Sequence, residues 1–263
     1  MRQRYTIELA FLVLVLAVSV AGFSSLFRGN AGALTGYHLL HIVTSLAWLL
    51  LLTAQLVLLR QRKFERHRTI GAWILAVAPV LIASVGLLTA HSASREAAAG
   101  TVDDLVVQNV TFTVELALLL FLAVRLRHDR AVHGALLMST ALMFLVIALF
   151  FTLISYVPGY RIEGPETFDR FAKSAQLGAL VGMGIGVLFF LRNVRSGWPW
   201  LLTSAFFLVN GLLQAFVAQS GRTWSLTMLV GSVGELPAVA VALAGSAALL
   251  WAAWKRSPGL RRR

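Results

Sequence analysis

Cysteine is absent from the 263-residue chain, and charged residues make up only 13% of it. The chain therefore cannot form a disulfide, a thiolate metal site or a cysteine-held iron–sulfur cluster. A soluble domain of this length would carry about a quarter charged residues. Here 58% of the residues are hydrophobic and the mean hydropathy is +0.79. Apolar runs of roughly 20 residues, long enough to cross a bilayer, recur along the chain. We predict an all-α, polytopic helical membrane protein with about eight transmembrane helices.

Acidic residues are also few, with 11 Asp and Glu against 23 Lys and Arg. The net charge of +12 does not indicate nucleic-acid binding, because the basic residues lie in short loops between apolar runs. One set of alternate loops and the two termini hold 17 Lys and Arg, and the opposite loops hold 6. The positive-inside rule therefore predicts that both termini lie in the cytoplasm. We expect a multi-pass protein of a bacterial cytoplasmic (inner) membrane, with the lipid bilayer as its surroundings and no nucleic-acid partner.

The predicted organisation has four parts. In chain order they are a first transmembrane helix (1–30), a four-helix histidine-bearing bundle (37–157), three further transmembrane helices (174–254) and a basic cytoplasmic tail (255–263). Within the bundle, a basic turn separates predicted helices at about 37–60 and 70–91. The last helix is expected to be broken or re-entrant near its start, because Gly231, Gly234 and Pro237 disfavour a regular helix there.

Four of the six histidines lie in the stretch Tyr37–His91. His41 and His91 fall near the predicted outer membrane boundary, and His67 and His133 near the inner one. In an up-and-down bundle each pair can face across the core. Two facing imidazoles are the axial ligands of a b-type haem. These four residues are thus candidate cofactor ligands, and His67 with His133 is the preferred pair on the haem iron.

A different interpretation of the same histidines is structural. His67 and His91 are 24 residues apart, which is about 36 Å on one straight helix. At least one of them would then lie among the lipid headgroups. A boundary histidine there can form hydrogen bonds with loops, water or lipid phosphate.

The bundle region also resembles a known group of proteins. His41 leads a helix that contains Gln55, the basic turn ends in His67-Arg68-Thr69-Ile70-Gly71, and His133 opens a later helix. This pattern, over about residues 37–157, resembles an uncharacterised bacterial four-helix membrane family with a histidine-led helix and an H-R-x-x-G turn. It is distantly similar to two-haem transmembrane cytochromes b. The resemblance implies haem b as cofactor and electron transfer as activity, with quinone as a further candidate partner.

Glu115 is the ionisable side chain predicted to lie deepest in the membrane. It falls near the middle of a predicted helix at 106–125, and Asn210 and Gln214 form a polar stripe on a later helix. An intramembrane carboxyl group indicates a functional site by default. We expect Glu115 to face the interior, to be largely protonated at neutral pH because burial disfavours its charge, and to hydrogen-bond a partner such as Asn210. A structural interhelical hydrogen bond is the simpler alternative.

Small residues mark one further helix. Gly178, Gly182 and Gly186 recur at four-residue spacing, which lets another helix approach closely. The spacing favours packing within one subunit, and a homo-oligomer or a membrane protein partner is the alternative.

Soluble-enzyme motifs such as the P-loop are absent from the sequence, and no catalytic residue is predicted. Three functions remain open: a haem-binding electron-transfer protein, a transporter that uses the Glu115 site, and a non-catalytic subunit or assembly factor of a larger complex.

Overall fold

The computed structural model describes residues 5–27 and 35–256, apart from the side chains of residues 25, 26 and 256. These ranges contain ten α-helices, a 3₁₀ turn at Pro165–Thr167 and no strand. The helices in chain order are α1 (Thr6–Phe27), α2 (Gly36–Arg60), α3 (Phe64–Gly71), α4 (Ile74–Ala98), α5 (Val106–Arg125), α6 (Arg130–Tyr156), α7 (Asp169–Arg192), α8 (Trp198–Gln219), α9 (Thr223–Ser232) and α10 (Glu235–Arg256).

Eight of these helices are long and apolar enough to cross a membrane, and the short α3 and α9 are not. The predicted all-α, polytopic class is therefore confirmed. An even number of spans is what the predicted placement of both termini on one side requires, and their cytoplasmic location stays a prediction. The first four residues and most of the predicted basic tail, from residue 257 onward, lie outside the described ranges.

The predicted basic turn contains a short helix of its own. This helix, α3, covers Phe64–Gly71, and the helix predicted at about 70–91 corresponds to α4, which begins at Ile74. The reason is local, because the α3 sequence is polar and suits the water boundary, whereas the apolar run begins only at Ile74. Since His67 and His91 do not share a helix, the 36 Å separation does not apply. α4 also continues to Ala98, which places His91 two turns before its end.

The predicted break in the last helix is confirmed. α9 ends at Ser232, and Gly234 has a φ of +75° in the turn before α10. That left-handed conformation suits glycine, which lacks a Cβ. Pro237 then falls in the first turn of α10, where its missing N–H leaves no helical hydrogen bond unmade. The turn sets Glu235 as the first residue of α10.

The described chain divides into two compact units, each made of separate stretches. Unit 1 contains residues 5–27, 35, 49–71 and 137–207. Unit 2 contains residues 36–48, 72–136 and 208–256. The predicted four-part division of the chain stays a prediction.

Three glycines of α7 face other helices of unit 1. A Cβ at Gly178 would lie 3.3 Å from the backbone oxygen of Val146, and one at Gly182 would collide with the Val146 side chain. At Gly186 a Cβ would collide with Ser204. The three glycines thus serve the close helix packing within the chain that their spacing favoured.

Helix α4 is at the centre of unit 2, where it packs on α5, α9 and α10. Small residues permit close approach on two sides. A Cβ at Gly86 would lie 3.2 Å from Ala242 of α10, and one at Gly231 of α9 would lie 3.0 Å from the backbone oxygen of Ala93. This packing brings the polar side chains of α2, α4 and α10 together.

Candidate functional site

A carboxylate, a phenol and an imidazole meet where α2, α4 and α10 come together in unit 2. His91 Nδ1 lies 2.7 Å from Glu235 Oε1, and the Tyr37 hydroxyl donates to Glu235 Oε2 at 2.5 Å. The Tyr37 and His91 rings also lie over one another, with centroids 4.3 Å apart and planes inclined by 38°. We call Tyr37, His91 and Glu235 the Glu235 cluster. Its carboxylate binds three helices to one another.

The geometry of the cluster sets the tautomer of His91. A carboxylate accepts hydrogen bonds, so His91 Nδ1 carries the proton and donates it. His91 Nε2 is then the nitrogen with the lone pair, and it is buried without a hydrogen-bond partner among the described residues. The side chains of His91 and Glu235 are 18% and 32% exposed, so the carboxylate is more accessible than the imidazole. An imidazole arranged in this way can take up a proton or ligate a metal through Nε2.

His38 lies next to the Glu235 cluster. Its ring meets the His91 ring edge to face, with centroids 6.5 Å apart. The His38 side chain is half-buried. Among the described residues no group of three or more His, Asp or Glu side chains is arranged to hold a metal ion.

His41 belongs to a separate polar layer of unit 2. Its Nδ1 lies 3.1 Å from Ser84 Oγ, and Ser84 Oγ lies 2.8 Å from Thr44 Oγ1. The Ser84 hydroxyl donates to the Leu81 carbonyl, so its oxygen can accept from His41. Seven residues, or about 10 Å along α4, separate Ser84 from His91. The predicted outer pair, His41 and His91, therefore occupies two levels.

Glu115 and Asn210 form the predicted polar contact between α5 and α8. Asn210 Nδ2 donates to Glu115 Oε2 at 3.0 Å, and Glu115 is only 7% exposed. Asn210 Oδ1 is buried and has no hydrogen-bond partner among the described residues. A protonated Glu115 would supply the missing donor, because a carboxylic acid and a primary amide can each donate to and accept from the other. The arrangement is therefore chemically complete with a neutral carboxyl group.

Gln214, in the same predicted polar stripe as Asn210, has a different hydrogen-bond partner. Its Nε2 donates to the backbone oxygen of Asp104 at 3.1 Å. Gln214 thus holds the end of α8 to the segment before α5, whereas Asn210 contacts the carboxyl group.

In unit 1, His67 is held by Gln55. With its amide nitrogen toward His67, Gln55 donates to the His67 carbonyl at 3.0 Å and to His67 Nδ1 at 2.5 Å, while its oxygen accepts from the Gly71 N–H. His67 Nδ1 is then the acceptor, so neutral His67 carries its proton on Nε2. Partial burial, followed by the nearby charge of Arg68, holds the pKa of His67 below its usual value, although a hydrogen bond with the backbone of Gln55 acts in the opposite direction.

In unit 2, His133 adopts the other tautomer. Its Nδ1 lies 2.8 Å from the carbonyl of Ala123. A carbonyl only accepts, so Nδ1 carries the proton and Nε2 holds the lone pair. This is the tautomer of a metal-ligating histidine, whose second nitrogen commonly donates to a backbone carbonyl. His67 and His133, the predicted inner pair, lie in different units.

The sequence interpretation missed three members of these networks: Tyr37, Ser84 and Glu235. A signal for Glu235 was available, because it is the only acidic residue after Asp169 and it follows the glycines that break the last helix. Tyr37 and Ser84 carry no comparable signal, since a tyrosine or a serine at the end or on the face of an apolar helix is ordinary.

Comparison of the chain with protein-family models, curated proteins and solved structures finds no significant match.

Proposed function

We propose that this protein is a proton-coupled membrane transporter whose exchange site is Glu115 with Asn210. The proposal rests on the hydrogen bond between the two side chains and on the buried Asn210 Oδ1, which has no partner among the described residues. A carboxyl group inside a membrane-spanning helix is expensive to keep, and such residues commonly mark ion or proton pathways. A purely structural contact between α5 and α8 would not need an ionisable residue.

The chemistry of the pair suggests how coupling works. When protonated, Glu115 forms a neutral, reciprocal pair with Asn210. When the proton leaves, the carboxylate keeps one donor from Asn210 and attracts a cation in the low-dielectric interior. Because one carboxylate holds either a proton or a cation, loss of one favours uptake of the other. A small organic cation exchanged for a proton is thus the substrate class that the site favours.

The Glu235 cluster supports the same proposal from the water boundary. Glu235 is partly exposed, and it contacts both a phenol and an imidazole that can exchange protons. The His41, Ser84 and Thr44 layer adds further hydrogen-bonding groups in the same unit. Unit 2 therefore holds acid–base groups at the boundary as well as in the membrane interior.

A liposome experiment tests the transporter proposal. The full chain is reconstituted with a pH-sensitive dye trapped inside, and tetraphenylphosphonium is added outside as a cationic probe. We expect the probe to drive protons out of wild-type vesicles, and we expect Glu115→Gln to abolish the movement because an amide cannot release a proton. Glu163→Gln, at an exposed carboxylate, is the matched control and should behave as wild type. Equal proton movement in wild type, Glu115→Gln and empty vesicles would refute the proposal.

Haem binding is the second candidate, and the tautomer of His133 is the observation that favours it. The lone pair on Nε2 suits iron, and the Nδ1–H bond to Ala123 would orient the ring. His67 has the opposite tautomer, so as an axial ligand it would have to give up its contact with Gln55. A haem bound by these histidines would supply one-electron transfer, as the similarity to two-haem cytochromes b implies. Quinone in the bilayer is the partner that this proposal favours.

An absorption spectrum of the purified protein separates the two candidates. After expression with sufficient haem, a haem protein shows a Soret band. We expect His133→Ala and His67→Ala to abolish an inner site and His41→Ala to spare it. If wild-type protein shows no Soret band, the haem candidate fails while the transporter candidate is untouched.

A further inference from the structure

An open apolar groove of about 480 Å³ lies on unit 2 between the start of α4 and the end of α10. It is lined by Leu75 of α4 and by Ala247, Ala248 and Trp251 of α10. The two alanines are exposed and Trp251 is 54% exposed, so the groove is open to the surroundings of the protein. Its lining residues are all apolar, so a ligand in the groove would mainly make hydrocarbon contacts.

Basic side chains lie at the C-terminal end of α10, close to the groove. Lys255 Nζ lies 5.0 Å from the centre of the Trp251 ring. The Arg127 guanidinium lies 4.2 Å from the centre of the Trp254 ring and donates to the Trp254 carbonyl at 3.0 Å. The loop after α5 contains one acidic residue, Asp129. Its Oδ1 accepts hydrogen bonds from two backbone N–H groups at the start of α6. The charge beside the groove is therefore positive.

We propose that this groove binds one acyl chain of an anionic phospholipid and that Lys255 holds its phosphate. Ala247 and Lys255 are eight residues apart, which is a rise of about 12 Å along α10, and the Trp251 side chain between them lies next to the ammonium group. That distance suits a headgroup at the membrane boundary and a chain running toward the interior. The end of α10 is on the side that the basic loops assign to the cytoplasm, where anionic lipids attract Lys and Arg. The site does not depend on the proposed transport function.

Lipid competition on the full-length protein tests the proposal. Purified protein in a mild detergent is offered phosphatidylglycerol and phosphatidylcholine of equal chain length, and bound lipid is measured by native mass spectrometry. Wild type should retain phosphatidylglycerol preferentially. Lys255→Gln should reduce that preference about five-fold, the effect of one Lys at a membrane surface. Ala248→Leu should reduce binding of both lipids, because the larger side chain fills the groove.

Two matched controls make the result specific. Lys63→Gln removes an exposed lysine in the turn between α2 and α3, and Ala240→Leu enlarges an exposed alanine of α10 outside the groove. Both should bind lipid as wild type does. No preference in wild type, an unchanged preference in Lys255→Gln, or an equal loss in Lys63→Gln would overturn the proposal. It would also be overturned if glycerol 3-phosphate alone stabilised the protein against heat as well as the lipid does.

Discussion

Asn210 of α8 donates a hydrogen bond to the carboxyl group of Glu115 of α5, although 95 positions separate the two residues in the chain. The carboxyl group is buried in unit 2, and the buried Asn210 Oδ1 has no hydrogen-bond partner among the described residues. The proposed proton exchange uses these two side chains.

The first prediction separates stability from transport at this pair. Glu115→Gln should change the free energy of unfolding by less than about 1 kcal/mol, because an amide can still pair with Asn210. Asn210→Leu should lower it by about 1–2 kcal/mol, the range for a polar contact between membrane helices. Thermal or denaturant unfolding in detergent measures both. A larger loss in Glu115→Gln than in Asn210→Leu would show that the pair is not reciprocal.

The second prediction concerns the Glu235 cluster. Tyr37→Phe removes one of the two hydrogen bonds to the carboxylate, and His91→Phe removes the other. Each should lower the melting temperature. The double variant should lower it by less than the sum of the single effects, because the rings contact one another and both side chains serve the same carboxylate. Strict additivity in a double-mutant cycle would refute the shared role of Glu235.

The third prediction uses the pH dependence of stability around His67. Its pKa is below the usual value because the folded chain partly buries it. The unfolded chain therefore binds a proton more readily, and the stability contributed by neutral His67 is lost as pH falls below about 6.5. His67→Gln should reduce this acid-side loss in a series of melting temperatures against pH. The control is His128→Gln at an exposed histidine, and an equal effect there would contradict the assignment.

The fourth prediction concerns Asp103, between α4 and α5. Burial raises the pKa of this carboxyl group, while hydrogen bonds from the Leu105 N–H and Ser92 act against the rise. The folded state thus favours the protonated form, so stability is greatest below the usual carboxyl pKa and falls as pH rises through the raised value.

Asp103→Asn keeps an oxygen for the Leu105 N–H and removes the charge. It should therefore abolish this part of the pH dependence and raise the melting temperature at neutral pH. Glu163→Gln, which alters an exposed carboxylate, should leave the profile as it is in wild type. An Asp103→Asn protein that melts at a lower temperature at neutral pH would show that the charge is stabilising.

Features encoded locally in the sequence were predictable. The span Val106–Arg125 matches its predicted bounds, because length and hydropathy alone define a membrane-crossing helix. The break before Glu235 was predictable for a similar reason, since glycine and proline act on the backbone where they stand. The contact of Glu115 with Asn210 was expected because few polar residues lie at that depth to partner a carboxyl group.

Features that depend on packing were not predictable. Tyr37 and Glu235 meet across 198 positions, and no local pattern indicates which helices become neighbours. The short helix α3 lies in the segment predicted as a basic turn, and its polar sequence did not indicate a helix. The tautomers of His67 and His133 follow from Gln55 and Ala123, and the histidine spacing alone carried no information on either contact.

The most direct test of the exchange site is an infrared titration of Glu115 in lipid vesicles. At neutral pH we predict the carbonyl band of a protonated, hydrogen-bonded carboxylic acid that is absent from Glu115→Gln and present in Glu163→Gln. Adding tetraphenylphosphonium should diminish that band as the proton leaves. An ionised Glu115 at neutral pH, with a carboxylate spectrum like that of an exposed side chain, would contradict the account.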